Sequence, residues 1–214
     1  RTPGSGSGTG IIGIRDHDHR HNGLSGVSQP SGDERSGSPI GCVNMIETDR
    51  LLLRPHIASD FNPFKAMLQD AEVMRYIGRE PSTDDEAWLS FLAHFGRWQL
   101  HGYGLFAIIE KETGLFIGNA GFSDFRRGLG TNFDSFQEAA WVFSGAGQNK
   151  GYAFEAMTAA HIWLDQQFEP KKTVCIISPE NEPSIRLASK LGYRETGLGN
   201  YKDSDVIMFE RICR

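Results

Sequence analysis

The sequence predicts an α+β domain with a central sheet, preceded by a polar extension. Residues 45–214 alternate short apolar runs with segments whose apolar residues recur at helical spacing, which is typical of a mixed domain. All 14 Phe, 5 Tyr and 4 Trp lie in this part, so it has enough apolar surface for a core. Residues 1–44 hold 10 of the 25 glycines and none of these aromatic residues. We therefore expect residues 1–44 to be a disordered, Gly/Ser-rich extension and residues 45–214 to be the folded domain.

Composition narrows the class of protein further. The chain has 214 residues and a formal net charge of -5, with 22 Lys and Arg against 27 Asp and Glu. This acidic balance argues against a nucleic-acid partner, whose binding surface is usually basic. No apolar run approaches the ~20 residues of a membrane span, so no membrane partner is expected. Three scattered cysteines, Cys42, Cys175 and Cys213, with no C-x-x-C pair, indicate free thiols and a cytoplasmic location.

Three histidines alternate with other residues in the extension, at His17, His19 and His21. Such a tract is able to bind nickel or zinc. Nothing in the sequence implies a preformed geometry there, so a solvated polar tail is the favoured interpretation. We predict no metal site.

Turn and cap signals divide the first half of the domain into elements. Pro55 stops the first apolar run, because proline cannot continue a sheet ladder. Thr83 and Glu86 form a capping box before an apolar helical stripe. The segment 111–114 ends in Gly114 and joins two apolar runs, which is typical of a hairpin. The predicted elements are a strand over 51–55, helices over 59–69 and 71–77, a helix after the capping box, and strands over 105–110 and 115–122.

The second half continues the same alternation. A helix begins at an Asn181 cap with Pro183 in its first turn and stops at Gly192. Cys175 and Tyr193 lie among apolar residues and are expected to pack in the core. The predicted elements are a strand over 138–143, a helix over 151–167, a strand over 173–177, a helix over 181–191 and a last strand over 206–210.

The turn between the strand over 138–143 and the following helix is the most informative part of the sequence. The first N–H groups of a helix have no partner within the helix, and with the helix dipole they form a site for a phosphate group. Gly151 allows the backbone to approach such a ligand closely. The turn alone leaves three interpretations open: a phosphate site, a dinucleotide loop with Asp165 downstream, or an ordinary Gly-rich turn. A nucleotide-hydrolysing loop is disfavoured because Lys150 precedes Gly151 and Tyr152 follows it.

The wider sequence resembles a known family. Gln148-x-x-Gly151-x-Ala153 resembles the Q/R-x-x-G-x-G/A pyrophosphate loop of the GNAT N-acyltransferase superfamily. The segments 47–55, 102–118 and 179–193 resemble the opening strand, the central hairpin and the penultimate helix of its RimJ/RimL-like branch. The resemblance covers residues 45–212 in the correct order and leaves residues 1–44 without a counterpart. It implies a GNAT-like three-layer fold, with a central mixed, mostly antiparallel sheet flanked by helices.

The resemblance also implies a ligand, acetyl-CoA as the acyl donor, and the residues that bind it. Main-chain groups of one strand are expected to pair with the pantetheine arm as an extra half-strand would. Amides at the start of the next helix are expected to hold the pyrophosphate. The implied cofactor-binding residues are Trp141, Val142, Phe143, Gln148, Asn149, Lys150, Gly151, Tyr152, Ala153, Phe154 and Asn181.

Two catalytic residues follow from the same resemblance. Glu138 lies where many members of this branch carry a strand glutamate, and apolar Trp141 and Phe143 nearby would raise its pKa towards that of a base working near neutrality. A surface carboxylate at a strand end remains the alternative. Many family members place a tyrosine acid where this chain has Ala188, so Ser184 is the candidate group near the leaving sulfur. A purely structural first-turn residue is the alternative for Ser184.

The expected function is N-acetyl transfer from acetyl-CoA to a primary amine, by direct transfer, on a small molecule or a protein N-terminus. Two alternatives stay open. The absence of a tyrosine at Ala188 favours a non-catalytic acyl-CoA-binding module. The Gly-rich turn is also compatible with an NAD(P)-binding oxidoreductase. Either a monomer or a homodimer is compatible with the sequence.

Overall fold

The computed structural model describes residues 45–77 and 80–213. The expected disordered extension, with its three histidines, lies outside the described residues. Short 3-10 turns precede α1 and α5. The described chain forms β1 (Ile46–Glu47), β2 (Leu51–Arg54), α1 (Phe61–Gln69), α2 (Ala71–Tyr76), α3 (Asp84–His101), β3 (Leu105–Glu110), β4 (Phe116–Ser123), α4 (Thr131–Asp134), β5 (Gln137–Phe143), α5 (Tyr152–Phe168), β6 (Lys172–Ile177), α6 (Glu182–Lys190), β7 (Arg194–Tyr201) and β8 (Ser204–Ile212).

One sheet organises the domain, with strand order β1-β2-β3-β4-β5-β6-β8-β7. Neighbouring strands run antiparallel except β5 and β6, which are parallel. The prediction of a mixed, mostly antiparallel sheet flanked by helices is therefore confirmed. A parallel neighbour requires a crossover, and α5 supplies it.

The parallel pair β5–β6 is short. Gln137 pairs with Thr173 and Glu138 pairs with Val174, and the register between these two strands ends there. β5 continues to Phe143 while remaining paired to β4 on its other side. The backbone of β5 beyond Glu138 therefore presents a free strand edge inside the domain.

Helices cover both faces of the sheet. α5 packs a slim stripe that includes Ala156, Ala160 and Leu164 into the main core, where the aromatic rings of Phe106 and Phe122 are fully buried. Small side chains let this helix lie close to the strands. On the other face, α1 and α3 contribute a second core cluster, against which Val142 of β5 is packed. The sheet is thus the middle of three layers.

The sequence prediction is incomplete for the last part of the chain. The predicted strand over 206–210 lies within β8, but its hairpin partner β7 is not predicted. Gly197 and Gly199 lower the strand propensity of β7, and most of its residues are exposed, so no apolar alternation indicates it. The two-residue β1 and the short α4 were also not predicted.

Candidate functional site

The turn before α5 is shaped to open a helix towards a ligand. β5 ends at Phe143, a 3-10 turn covers Gly145–Gly147, and α5 begins at Tyr152. Gly151 is the N-cap and has φ +78°, in the left-handed region that glycine adopts without steric cost. The first N–H groups of α5 have no partner within the helix, and because glycine has no side chain they stay accessible at the helix end. The predicted strand, turn and helix are all present.

The side chains of Thr48 and Arg50, in the connection between β1 and β2, hold this turn in place. The carboxylate of Glu155, in the first turn of α5, accepts hydrogen bonds from Thr48 Oγ1 at 2.6 Å and from Arg50 Nε at 2.7 Å. Arg50 Nη1 also donates to the carbonyl oxygen of Lys150 at 2.9 Å. The guanidinium of Arg50 lies 4.5 Å from the ring centre of Tyr152. These contacts fix the start of α5 before any ligand binds.

Tyr152 and Lys150 point away from the turn towards Glu110 at the end of β3. Tyr152 Oη donates to Glu110 Oε1 at 2.6 Å, and Lys150 Nζ lies 3.3 Å from the same oxygen. Hydrogen bonds from Tyr152 and Thr113, with the nearby charge of Lys150, lower the pKa of Glu110 to about 2. Glu110 is therefore an anion at neutral pH and holds both side chains in place.

A pocket of about 400 Å³ opens between the free edge of β5, the start of α5 and α6. It brings together every predicted cofactor-binding residue except Lys150, and it includes Ser184. Hydrophobic side chains of α2 and α6 and two cationic side chains of α6 complete its wall. The lining is Val73, Ile77, Trp141, Val142, Phe143, Gly147, Gln148, Asn149, Gly151, Tyr152, Ala153, Phe154, Asn181, Pro183, Ser184, Arg186, Leu187 and Lys190.

Two polar side chains that are predicted to bind the cofactor also form hydrogen bonds within the protein. Gln148 Nε2 donates to the carbonyl oxygen of Phe143 at 3.0 Å, which closes the turn after β5. Asn181 is the N-cap of α6, and its Oδ1 accepts from the amide of Ser184 at 3.1 Å. Both side chains lie at the pocket wall, so each is placed to contribute a further polar contact.

Ser184 and Trp141 meet across the gap between β5 and α6. Trp141 Nε1 donates to Ser184 Oγ at 3.1 Å. Since the indole N–H is only a donor, Ser184 Oγ must be the acceptor, and its own hydrogen is free to be donated elsewhere. Sequence reasoning selected both residues without predicting that they touch.

Glu138 lies apart from the pocket lining, at the last paired position of β5 and β6. Its carboxylate is buried and accepts from Arg127, with Nε 2.9 Å from both oxygens and Nη2 2.7 Å from Oε1. Burial raises the pKa of Glu138, which is the predicted direction, while the hydrogen bonds and charge of Arg127 oppose that rise. A surface carboxylate at a strand end is therefore not what the structure shows.

Sequence reasoning missed several residues of this region. Arg127 lies in the connection between β4 and β5, where no local pattern links it to Glu138. Arg186 and Lys190 line the pocket from α6, and their i, i+4 spacing on a helix was a usable signal. Val73 and Ile77 reach the pocket from α2 and the residue after it, which only the tertiary fold reveals.

The residues present fit the acyl donor that the resemblance implies. The pantetheine arm carries amides, and the free edge of β5 offers strand-type partners for them. A pyrophosphate needs several N–H donors, and the first turn of α5 presents them beside a residue with no Cβ. Arg186 and Lys190 add positive charge at the same pocket for further phosphate.

Other site classes find less support in the described residues. No group of three or more His, Cys, Asp and Glu side chains within 45–77 and 80–213 is arranged to hold a metal ion. Among these same residues no helix has the length and apolar character to cross a membrane. The dinucleotide alternative required an acid at the end of a parallel strand, but Asp165 lies inside α5 and pairs with Arg211 at 2.9 Å. The antiparallel character of the sheet also disagrees with a dinucleotide-binding fold.

Comparison with known proteins agrees with this geometry. A family model described as an acetyltransferase (GNAT) domain matches residues 50–194. The uncharacterized N-acetyltransferase YnaD of Bacillus subtilis is 29% identical over 152 residues, covering 71% of this chain and 84% of YnaD.

Solved structures show the same fold. A GnaT-family acetyltransferase from Bordetella pertussis is 34% identical, with a TM-score of 0.69 over 78% of this chain and 98% of that one. The spermidine N-acetyltransferase from Vibrio cholerae, in complex with CoA and spermine, is 18% identical, with a TM-score of 0.60 over 77% of this chain and 96% of that one. By these two matches, to the family model and to the Bordetella structure, the chain belongs to the GNAT family of acetyltransferases.

Proposed function

We propose that this protein transfers an acetyl group from acetyl-CoA directly to a primary amine, on a small molecule or a peptide N-terminus. One observation carries the proposal: the free edge of β5 and the first turn of α5 open into a single pocket. CoA carries both an amide-bearing arm and a pyrophosphate. The strand edge offers partners for the amides of the arm, and the first turn of the helix offers N–H donors for the pyrophosphate. The N-acetyltransferase name of the Bacillus relative YnaD supports the amine acceptor.

Within this proposal, each part of the pocket holds one part of the donor. Main-chain groups of Trp141, Val142 and Phe143 hold the pantetheine arm, and Asn181 adds a side-chain contact. The amides of 149–154 hold the pyrophosphate, with Gln148 at the edge of the turn. Lys150 contributes its amide, because its side chain is engaged by Glu110. When bound, the donor supplies a thioester whose acyl carbon accepts the amine.

Ser184 acts at the leaving sulfur. In the overall exchange a C–N bond forms at the acyl carbon and the C–S bond breaks, leaving a thiolate. Ser184 Oγ accepts from Trp141 and has its hydrogen available, so it stabilises that thiolate by donating a hydrogen bond. Full proton transfer from the hydroxyl is unnecessary, because a thiol with a pKa near ~8.5 leaves partly unaided.

Glu138 takes the proton that the amine loses. It lies at the last paired position of β5 and β6, where the gap between these strands begins, although it is not part of the pocket lining. Burial raises its pKa towards the range in which a carboxylate accepts a proton near neutral pH. The ion pair with Arg127 favours the charged form of this carboxylate.

A non-catalytic acyl-CoA-binding module is the second candidate. Ala188 is a fully buried core residue rather than a tyrosine acid, and both oxygens of Glu138 are engaged by Arg127. These two observations favour binding without transfer. The two candidates differ in turnover and not in donor binding.

The test uses the full chain and measures donor binding and turnover separately. Acetyl-CoA should raise the melting temperature, because a ligand that binds only the folded state stabilises it, and NADPH should not. A panel of primary amines should then show acetylated product and free CoA in equal amounts.

Glu138→Gln should keep the acetyl-CoA shift and lower kcat by about 100-fold or more. The control is Glu210→Gln, which makes the same substitution in a more exposed ion pair, that with Lys172 at 2.8 Å on neighbouring strands. Donor binding with no product from any amine would establish the binding module instead. A missing acetyl-CoA shift would contradict both candidates.

A further inference from the structure

The guanidinium of Arg127 occupies a site built for a cation. Its donors face the buried carboxylate of Glu138. Its central carbon lies 4.5 Å from the ring centre of Phe125 and 4.6 Å from that of Tyr201. Aromatic rings at such distances attract cations, and more strongly when water is excluded. One carboxylate and two aromatic rings therefore converge on a single positive group.

This site is assembled from three separate parts of the chain. Phe125 and Arg127 come from the connection between β4 and β5, Glu138 from β5, and Tyr201 from the end of β7. The Glu138 side chain is 5% exposed and that of Arg127 is 17% exposed. Arg127 is thus the partner that solvent reaches, and Glu138 lies beneath it. A cation arriving from outside meets Arg127 first.

A second, independent observation points to a further polar ligand at this place. Ser123 is the β4 residue directly opposite Glu138 in the β4–β5 ladder. Its side chain is completely buried, and its hydroxyl has no hydrogen-bond partner among the described residues. A buried hydroxyl without a hydrogen-bond partner costs free energy in the folded protein. A polar group that binds beside it is therefore stabilised by the hydrogen bond that it forms with this hydroxyl.

The surrounding charge favours a cationic ligand once Arg127 moves. Asp124 and Asp134 both contribute negative potential at Glu138. Arg97, on α3, lies near Arg127 and opposes any positive charge at this place, whereas Glu138 stabilises it. With Arg127 displaced, the negative potential of Asp124 and Asp134 would add to that of the Glu138 carboxylate in the space that it leaves.

From these contacts we infer that Arg127 occupies the acceptor's place in the free protein, and that Glu138, Ser123, Phe125 and Tyr201 form the subsite for the cationic amine of the acceptor. The inference rests on the proposed acetyl transfer and specifies its acceptor as a group that enters as a cation. Displacement of Arg127 frees the Glu138 carboxylate to take the ammonium proton, while the amine nitrogen goes on to form the C–N bond. Arg127 is accordingly a specificity-determining residue that a cation must displace before the reaction.

The first experiment needs no turnover. Arg127→Ala in the full chain should open the subsite, and methylguanidinium should then bind there as a substitute for the lost side chain. Methylurea has nearly the same shape without the charge and serves as the control ligand. We expect methylguanidinium to raise the melting temperature of Arg127→Ala by about 2 °C or more over methylurea at equal concentration.

Two matched variants locate that effect. The double variant Arg127→Ala/Glu138→Gln removes the anion and should show no difference between the two ligands. Lys172→Ala breaks the Lys172–Glu210 ion pair elsewhere in the sheet and should behave like the unaltered protein. Equal melting temperatures of Arg127→Ala in the two ligands would overturn the inference, as would an equal response of the double variant.

A second measurement covers the case in which Arg127→Ala fails to fold. Arg127→Lys keeps a cation but loses the planar set of donors that engages both carboxylate oxygens. Its KM for a cationic amine should fall at least threefold, and its KM for acetyl-CoA should be unchanged. The reason is that the lysine side chain binds Glu138 less tightly than arginine does, so the acceptor displaces it more easily. An unchanged or raised acceptor KM would contradict the inference. A loss of the acetyl-CoA shift would instead count against the proposed function.

Discussion

Trp141 Nε1 and Ser184 Oγ are 3.1 Å apart, and this hydrogen bond joins β5 to the first turn of α6 across the point where β5 and β6 separate. Both residues also line the pocket. The bond orients a hydroxyl hydrogen at the place where the resemblance to the family locates the leaving sulfur. Helix α6, capped by Asn181, supplies the rigid support for that orientation.

Removal of the Ser184 hydroxyl should slow transfer more than it affects donor binding. We expect Ser184→Ala to lower kcat about tenfold, the value of one hydrogen bond, with the KM for acetyl-CoA within about twofold. Steady-state kinetics with release of free CoA as the readout measure both quantities. Ser189→Ala, on the same helix and exposed, is the matched control and should leave both unchanged. Full kcat in Ser184→Ala would leave Ser184 as a helix residue only.

The left-handed backbone at Gly151 should be required for phosphate binding. Gly151→Ala places a Cβ at φ +78°, which costs about 1 kcal/mol of stability and shifts the turn. Affinity for acetyl-CoA, measured by calorimetry, should fall about fivefold or more. Gly145→Ala tests the same substitution in the preceding turn, where φ is not positive and the new Cβ meets no atom within 4 Å. Equal losses in the two variants would show that the conformation of Gly151 is unimportant.

The hydrogen bonds between Glu155 and the β1–β2 connection should stabilise both the fold and the donor site. Glu155→Gln weakens the hydrogen bonds from Thr48 and Arg50, and we expect a loss of about 1 kcal/mol in the free energy of unfolding. Affinity for acetyl-CoA should fall with it, because the carbonyl of Lys150 is held by the same arginine. Glu72→Gln disrupts an exposed pair with Arg75 and should change stability by less than about 0.5 kcal/mol. Urea denaturation measures both variants.

The hydrogen-bond chain at His161 predicts an acid-sensitive fold. His161 Nδ1 lies 2.6 Å from the carbonyl oxygen of Met157, and Nε2 lies 2.9 Å from Tyr193 Oη, which is 2.8 Å from Thr173 Oγ1. A carbonyl only accepts, so Nδ1 carries the hydrogen of the neutral ring and Nε2 accepts from Tyr193. Burial lowers the pKa of His161 from 6.5 to about 4.

The sign of the pH effect follows from that shift. Between pH 6.5 and 4 the unfolded chain binds a proton at His161 and the folded protein does not, so the stability present above pH 6.5 is lost as the pH falls. The loss amounts to roughly 3 kcal/mol across this window. Urea denaturation of His161→Gln should show a shallower pH dependence of the unfolding free energy than the unaltered protein. Thr173→Val breaks the chain without removing the titrating ring and should keep the original slope; a common slope for both variants would refute this assignment.

Much of the local structure could be predicted because its signals lie close together in the sequence. Thr83 and Glu86 form the predicted capping box of α3, and Asn181 caps α6 as expected. Tyr193 packs in the core as expected, with 4% of its surface exposed. Each of these depends on residues within a few positions or on simple apolar context.

The features that could not be predicted depend on distant parts of the chain. Arg127 forms its ion pair with Glu138 from an irregular connection, and a local sequence pattern carries no information on a tertiary contact of this kind. Lys150 is among the residues that the resemblance implies for the donor, but its ammonium group lies 3.3 Å from the carboxylate of Glu110, forty residues earlier. The catalytic and binding roles themselves stay predictions, because contacts within the chain locate residues without testing what they do.

The early separation of β5 and β6 has a mechanical consequence. In the described part of the chain, the portion β1–β5 of the sheet connects to the portion β6, β8 and β7 through two ladder positions, at Gln137–Thr173 and Glu138–Val174. A ligand lying along β5 and touching α6 joins the two portions as an added strand would. Donor binding should therefore stiffen the whole domain, and amide hydrogen exchange should slow in β6 and β8, which contribute no residue to the pocket lining.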